Sequence, residues 1–517
     1  MSNFLTTRIA WLAVVSILLT GGPTVADETS DDERPGSRPK IGLVLAGGGA
    51  KGAAHIGVLK VLEELRVPVD CVTGTSMGAL VGAGFAAGVT PEDIEELVLG
   101  VNWAHTFGTG DLRQSTEMHR KSARVTYSNN LQLGIQDKKV VVPGGLLRTQ
   151  QVEELLRDLV EPVRLVTDFD ELPIPFRAVA TNMRTGDMVV LDGGDLSVAM
   201  RASMAVPGVF SPVIVGDDVL ADGGMVRNLP VDIARDLCAD VIIASSLETP
   251  EPKPEELVSA LQLMGRSMDV MIHANVAPQL ASLTEDDVAI HVHMGEFGSG
   301  DFHRAAEIVP LGDKAARQVA DQLRRYALPE EEYLAWRSSV TTREKDSITV
   351  AAIDIVGADR VNPEYVRSKM DSMPGEPLTQ EDLTADTERI FAMGDFEQVV
   401  YRLAGNPERP TLEIELQEKS WGPNFLSIDL GLYASSGGET SFVLRGEHQR
   451  TWINSRGGEW QNVVQFGRTS KLSSSIYQPL DKSHRFFIQP GIHATRSFED
   501  IYILSLIHIS EPTRPSP

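Results

Sequence analysis

Residues 41–56 read IGLVLAGGGAKGAAHI, and residues 71–87 read CVTGTSMGALVGAGFAA. Each stretch opens on a short apolar run, passes through a glycine-containing turn and continues with helical spacing or small residues. Ile41 to Ala46 is continuously apolar, as a strand buried on both faces of a parallel sheet would be. Ile56, Leu59, Leu62 and Leu65 then recur at the helical period. Cys71-Val72-Thr73 is a second short strand, and Ala79 to Ala87 a helix rich in small residues. Further strands are expected at Phe176 to Ala180, Met188 to Leu191 and Val241 to Ser245, with helices over 149–160, 230–237, 254–275 and 313–326. This alternation over residues 40–330 predicts an α/β domain with a mostly parallel sheet.

Three constellations in that domain carry chemistry. Gly74-Thr75-Ser76-Met77-Gly78 lies between a strand and a helix. Its pattern, G-x-S-x-G, is that of a nucleophile elbow, in which Gly74 and Gly78 relieve crowding so that Ser76 projects from the turn. Gly47-Gly48-Gly49-Ala50-Lys51-Gly52 also sits between a strand and a helix. Backbone N–H groups of such a loop can hold an oxyanion. The same loop is a literal G-x-G-x-x-G, and Asp70 stands where a ribose-binding acid would, so a dinucleotide site remains open. Lys51 opposes the helix dipole, which fits either a role toward an anionic substrate or a solvated lysine. Asp222-Gly223-Gly224 follows the apolar Val219-Leu220-Ala221. Serine needs a base, and partial burial would raise the Asp222 carboxyl enough to serve.

The three motifs in this order resemble those of patatin-like phospholipases, as does Ala202-Ser203-Met204-Ala205-Val206-Pro207. The resemblance covers residues 40–330 and implies a three-layer hydrolase fold. It implies a Ser76–Asp222 dyad without a catalytic histidine, an oxyanion hole from Gly47, Gly48, Gly49, Lys51 and Gly52, and hydrolysis of phospholipids or other lipid esters with no metal or cofactor. Of the eleven histidines, His55 follows the glycine loop and reads as structural, His291 and His293 alternate on a strand-like segment, and His273 and His303 are isolated. A histidine triad would require one of them beside Ser76.

Residues 347–419 hold a strand (Ser347 to Ile355), helices over 362–370 and 379–393, and strands Phe396 to Leu403 and Thr411 to Glu418. Beyond Trp421 come four or five alternating strands such as Leu426-Ser427-Ile428-Asp429-Leu430-Gly431-Leu432, the two-faced pattern of an outer-membrane barrel. This order resembles patatin-type autotransporters, with 331–346 as a linker, 347–419 as an α+β POTRA-like module and 420–503 as antiparallel β-barrel strands. Fewer strands follow Trp421 than a closed barrel needs, and 504–517 resembles translated sequencing adapter, so the barrel is expected to be truncated near Ile503.

The remaining features bound location and chemistry. Arg8, the apolar run Ile9 to Thr20 and Thr24-Val25-Ala26 predict a cleavable secretory signal over 1–26, with an uncleaved anchor as the other reading, and 27–39 as a flexible leader. An exported protein at the bacterial outer membrane or cell surface follows. Cys71 and Cys238, the only cysteines, either pair or stay buried as thiols. With 47 basic and 72 acidic residues the formal charge is −25, which disfavours nucleic acid as a partner. Two other functions stay open: a translocation or assembly factor with a decayed hydrolase domain, and a nicotinamide-dependent oxidoreductase built on the glycine loop and Asp70.

Overall fold

The computed structural model describes residues 38–106, 120, 132–136, 138–142, 145, 150–341, 347–406, 409–434 and 440–497. The secretory signal, most of the leader and the suspected adapter tail lie outside them.

The glycine-loop and elbow strands form the centre of an eight-stranded sheet. Its strands are β1 (Ile41–Leu45), β2 (Cys71–Thr75), β3 (Phe176–Asn182), β4 (Met188–Leu191), β5 (Val213–Val215), β6 (Asp218–Asp222), β7 (Val241–Glu248) and β8 (Val288–His293). The order is β8-β7-β1-β2-β3-β6-β5, with β4 also on β3. Neighbours from β8 through β3 run parallel, whereas β4, β5 and β6 join antiparallel. The sheet is therefore mixed, with a parallel core as the apolar runs predict.

Alternation along β1 divides the core into two layers of helices. Ile41, Leu43 and Leu45 join the cluster containing Leu59, Leu62, Leu80 and Ile308. These come from α1 (Ala54–Glu64), α2 (Met77–Ala86) and a helix over Ala305–Gln318. Val44 and Ala46 face the opposite way, toward Val231 and Ala234, with Val276 and Leu280 packed on the same cluster. The elements supplying these residues include α3 (Val231–Leu237) and α4 (Ala260–Ala281). The result is the three-layer arrangement expected.

Two helix boundaries differ from the sequence reading. The segment expected at 254–275 forms α4, which starts after Ser259 in a capping box with Gln262 and continues through Pro278. The segment expected at 313–326 begins earlier, at Ala305, and runs through Pro310. An interior proline costs about 3 kcal/mol, but buried Ile308, Val309 and Ala316 pack this helix into the core. Packing overrides the local break signal.

Cys71 and Cys238 are joined in a disulfide between residues 167 apart in sequence, tying the start of β2 to the end of α3.

The second module contains β9 (Ala352–Val356), a helix Pro363–Arg367, a helix Gln380–Phe391, β10 (Phe396–Ala404) and β11 (Thr411–Glu418). Strand β11 is central, parallel to β9 and antiparallel to β10. The single strand expected at 347–355 is two, because Ile348–Thr349 pairs separately with Pro377–Leu378. Part of the expected linker is helical, over Glu330–Val340. Strand β10 docks on the helix Gln150–Leu159 of the first domain. The Gln150 side chain accepts from Val399 N at 3.1 Å and donates to Val399 O at 2.9 Å.

An antiparallel meander follows: β12 (Asn424–Ala434), β13 (Thr440–Arg450), β14 (Glu459–Gly467), β15 (Thr469–Pro479) and β16 (Gly491–Ser497). In β12 to β15 the exposed residues are apolar apart from Arg450, among them Ile428, Leu430, Phe442, Leu444, Phe466 and Leu472, whereas β16 is exposed along its whole length. The meander's covered residues include charged ones, since Asp429, Glu447 and Glu459 are buried.

Removing the Cys71–Cys238 link frees a long loop in the unfolded chain. The double variant Cys71→Ala/Cys238→Ala should lose about 2–4 kcal/mol of stability, measured by chemical denaturation of the oxidised parent and the variant. Equal midpoints and slopes would show that the link contributes nothing.

Candidate functional site

Strand register brings the candidate nucleophile and base together. Thr75 of β2 lies opposite Val179 of β3, and the next β3 residue, Ala180, lies opposite Asp222 of β6. Ser76 follows Thr75, so its side chain emerges one position on, beside the end of β6. The Ser76 hydroxyl hydrogen-bonds to the Asp222 carboxylate.

Ser76 has φ 54° and ψ −124°, in the left-handed half of the map and rarely occupied by a residue with a side chain. Such strain costs of the order of 1–3 kcal/mol. Several contacts hold it. The Ser76 N–H donates to Ser203 Oγ at 2.9 Å, and the Ser203 hydroxyl donates to Val179 O at 2.6 Å. The Ser76 carbonyl accepts from Ala79 N at 2.9 Å, starting α2. Gly74 and Gly78 make the tight turn sterically feasible. A Cβ on Gly78 would lie 2.3 Å from Leu45 O, and one on Gly74 would lie 2.4 Å from Gly78 O.

Asp222 is buried, and burial raises its carboxyl from about 3.8 to about 6. Hydrogen bonds from Ser76 and from the Gly224 N–H, at 2.7 Å, oppose that rise. Gly223 packs against the Val179 carbonyl, and Gly224 against Asp222 and Asn228. The Thr181 hydroxyl donates to Asp222 O at 2.7 Å. The carboxylate is thus fixed, dry and basic enough to take a proton from serine near neutral pH.

The glycine loop passes beside this pair, since a Cβ on Gly47 would lie 3.0 Å from Ser76 Cβ. Its N–H groups are not equivalent. Gly47 N donates to Asn228 O at 3.2 Å and Ala50 N to Ser299 O at 2.9 Å. The amides of Gly48 and Gly49 have no protein acceptor among the described residues, which leaves them for a ligand. Gly49 has φ +59°, and a side chain there would also strike Ser299 O. Gly52 packs on Met77.

Lys51 is buried, not solvated. Its ammonium donates to Thr249 Oγ1 at 2.8 Å, and desolvation lowers its pKa against the field of Asp269. His55 is fully buried between Ser245 Oγ at 2.9 Å and Ala46 O at 2.8 Å. Burial lowers its pKa to about 4, so the neutral ring braces the start of the glycine loop. Among the described residues no histidine contacts Ser76 or Asp222: His291 and His293 instead meet Glu248 on the exposed edge. Asp70 accepts from Ile41 N at 2.7 Å, at the opposite end of β1 from the glycine loop. It is out of place for a ribose bound at that loop.

Two asparagines outside the motifs, together with Ser203 of the Ala202–Pro207 stretch, complete the site. Asn228 donates from Nδ2 to Gly47 O at 3.1 Å, and its N–H donates to Asn275 Oδ1 at 2.8 Å. Asn275 in turn donates to Gly224 O at 2.8 Å. These two asparagines connect the glycine loop, the Asp-Gly-Gly turn and α4. Ser203 supports the elbow from the Ala202–Pro207 stretch. Asn228 and Asn275 carry no spacing that a single sequence would single out.

Residues 43–235 match the family described as patatin-like phospholipase, and residues 348–419 match the POTRA family of surface antigen variable number repeats. The chain is 34% identical over 253 residues to an uncharacterised NTE family protein of Mycobacterium tuberculosis, covering 48% of this chain and 61% of that one. It is 35% identical over 206 residues to a patatin-like phospholipase domain-containing protein of Caenorhabditis elegans, covering 40% of this chain and 13% of the relative. The chain thus spans less than two thirds of these curated relatives. Among solved structures, VipD from Legionella pneumophila aligns at 16% identity and TM-score 0.32, over 55% of this chain and 67% of that one.

An acid held above its unfolded pKa binds its proton more tightly when folded. Its contribution is therefore complete below about 3.8 and is lost as pH rises through about 6. Asp222→Asn should accordingly stabilise the protein by about 2–3 kcal/mol above pH 7 and by little at pH 4. Thermal melts of both proteins across that range test this, and a pH-independent difference would contradict it.

Proposed function

The chain carries a patatin-like phospholipase domain and a POTRA domain, and on that premise we propose that it is an exported serine hydrolase cleaving carboxylic esters of lipids through Ser76 and Asp222. The observation that carries this reading is the buried Asp222 carboxylate hydrogen-bonded to a serine on a strained strand-to-helix turn.

Asp222 takes the Ser76 proton as Ser76 Oγ attacks the ester carbonyl carbon. The negative oxygen that develops is met by the N–H groups of Gly48 and Gly49. Collapse expels the alcohol, which takes the proton from Asp222 and leaves an acyl group on Ser76. Asp222 then deprotonates water, which attacks the acyl carbon, and Ser76 recovers its proton as the fatty acid departs. No step calls on a metal or cofactor. His55, neutral and occupied on both ring nitrogens, keeps the glycine loop in register with the elbow.

We further propose that the C-terminal strands form part of an outer-membrane barrel and that the POTRA domain lies at its base. The meander supports this by exposing apolar side chains while covering acidic ones, the inverse of a water-soluble sheet. The secretory-signal pattern of residues 1–26 supports export. A translocation role for the POTRA domain and strands is compatible with hydrolysis, since the catalytic motifs are complete.

Ser76→Ala in the full chain should abolish hydrolysis of both a short chromogenic ester and a phospholipid while leaving the melting profile folded. Activity retained in that variant would remove the nucleophile assignment. For the parent, kcat/KM should rise with pH through a single ionisation near about 6 and then level, as Asp222 becomes ionised. A rate flat from about pH 5 to about pH 8 would contradict an Asp222 base.

A further inference from the structure

We propose that α4 (Ala260–Ala281) is the element by which the hydrolase domain docks on an uncharged or zwitterionic lipid surface, setting the catalytic cleft against its substrate. The inference rests on the lipid-ester reading of the site.

The helix has three faces of different character. Its inner face carries Met268, Ile272, Asn275, Val276 and Gln279, which are half-buried or buried. One flank carries Gln262, Arg266, Asp269 and His273. The outer face carries Leu263, Val270, Met271, Ala274 and Ala277, recurring at helical spacing and all exposed, with Ser267 as a polar residue among them whose hydroxyl donates to Leu263 O. Val258, just ahead of the helix, is 78% exposed, and Leu263, Val270 and Met271 are 50%, 53% and 43% exposed. A soluble surface helix normally presents its polar residues outward, and here large apolar side chains stand in water.

The opposite face of the same helix borders the candidate site. A Cβ on Gly224 would lie 3.5 Å from Ile272 Cγ1, so the inner face of the helix forms a wall at the Asp-Gly-Gly turn. Asn275 bonds Gly224 O and receives the Asn228 N–H, fixing the helix to the loops that hold Asp222 and Gly47. A lipid surface resting on the outer face therefore lies one helix diameter, about 10 Å, from the Asp-Gly-Gly turn. No helix among the described residues, α4 included, is long and apolar enough to cross a membrane, so the contact is with the surface.

Charge selects the kind of lipid. The helix carries one arginine, one aspartate and one histidine, and the whole chain has a formal charge of −25. Neither the helix nor the whole chain carries a net positive charge to attract an anionic bilayer, so binding comes from apolar contact and should withstand salt.

The test uses the full chain held in an amphipathic polymer, which covers the C-terminal strands. Phosphatidylcholine–phosphatidylethanolamine vesicles serve as the surface and a soluble short-chain nitrophenyl ester as the monomeric substrate. The double variant Leu263→Glu/Val270→Glu should raise the apparent KM on vesicles about tenfold, leaving hydrolysis of the soluble ester unchanged. Leu263→Met/Val270→Ile should restore the vesicle KM. An environment-sensitive dye on Ala274→Cys in the Ser76→Ala background should shift to the blue with vesicles, equally in low and high salt. No dye shift, equal loss on both substrates, or no loss on vesicles overturns the proposal. So does a variant that turns a dimer into a monomer by light scattering, since the face would then belong to a second copy. A dye shift without hydrolysis by the parent would leave docking standing and remove the esterase reading.

Discussion

The register between β2, β3 and β6 is the constraint on which the site depends. Thr75 stands against Val179, and Ala180 against Asp222, so residues separated by well over a hundred positions meet at one sheet edge. A shift of one residue along β3 would turn every side chain to the opposite face and part the serine from the carboxylate. The register is fixed by burial, since Phe176, Ala178 and Ala180 share one face of β3 and are all fully buried. It is also fixed by polar ties at the meeting point. Ser203 bridges Val179 O and Ser76 N, and Thr181 bonds Asp222 O. The same contacts that define the sheet thereby bring Ser76 and Asp222 together, which is why the fold and the candidate chemistry cannot be separated.

Two unfavourable choices are concentrated there. Ser76 takes a backbone conformation costly for any residue with a Cβ, and Asp222 is a carboxyl placed where ionisation is disfavoured. Both are tolerated because their surroundings are rigid. Gly78 lets α2 start against the carbonyls of Leu45 and Ala46, and His55 ties Ala46 to Ser245 across β1 and β7. A neutral histidine suits that brace, because a charge at a fully buried position would add a desolvation cost without a carboxylate to offset it.

What could be read in the sequence follows from how local each signal is. The strand–turn–helix units around Gly47 and Ser76 depend on contiguous residues, and the structure has them where the apolar runs place them. The β-α-α-β-β order of the second module was legible for the same reason, and its match to the POTRA family agrees. Boundaries set by tertiary packing were not. Pro310 marks a break in any local reading, yet the helix passes through it because Ile308 and Val309 before it and Ala315 and Ala316 after it are buried. Lys51 was ambiguous for a related reason: nothing adjacent in the chain announces Thr249 and Asp269, which face its ammonium from distant segments. Asn228 and Asn275 were silent because an asparagine has no periodicity, and its role exists only once the glycine loop, the Asp-Gly-Gly turn and α4 converge.

That convergence explains how a helix outside all three motifs belongs to the site. The Asp222 turn is held on one side by the sheet, through Thr181 and the Val179 backbone, and on the other by Asn275 of α4. Displacing α4 would release Gly224 O and the Asn228 N–H together, because one side chain satisfies both. Asn228 would then lose the partner that orients it toward Gly47 O. The glycine loop and the base are therefore coupled through two amide side chains and not through the sheet alone. An apolar surface on the outer face of the same helix places an exposed hydrophobic element in mechanical series with the buried Asp222 carboxylate.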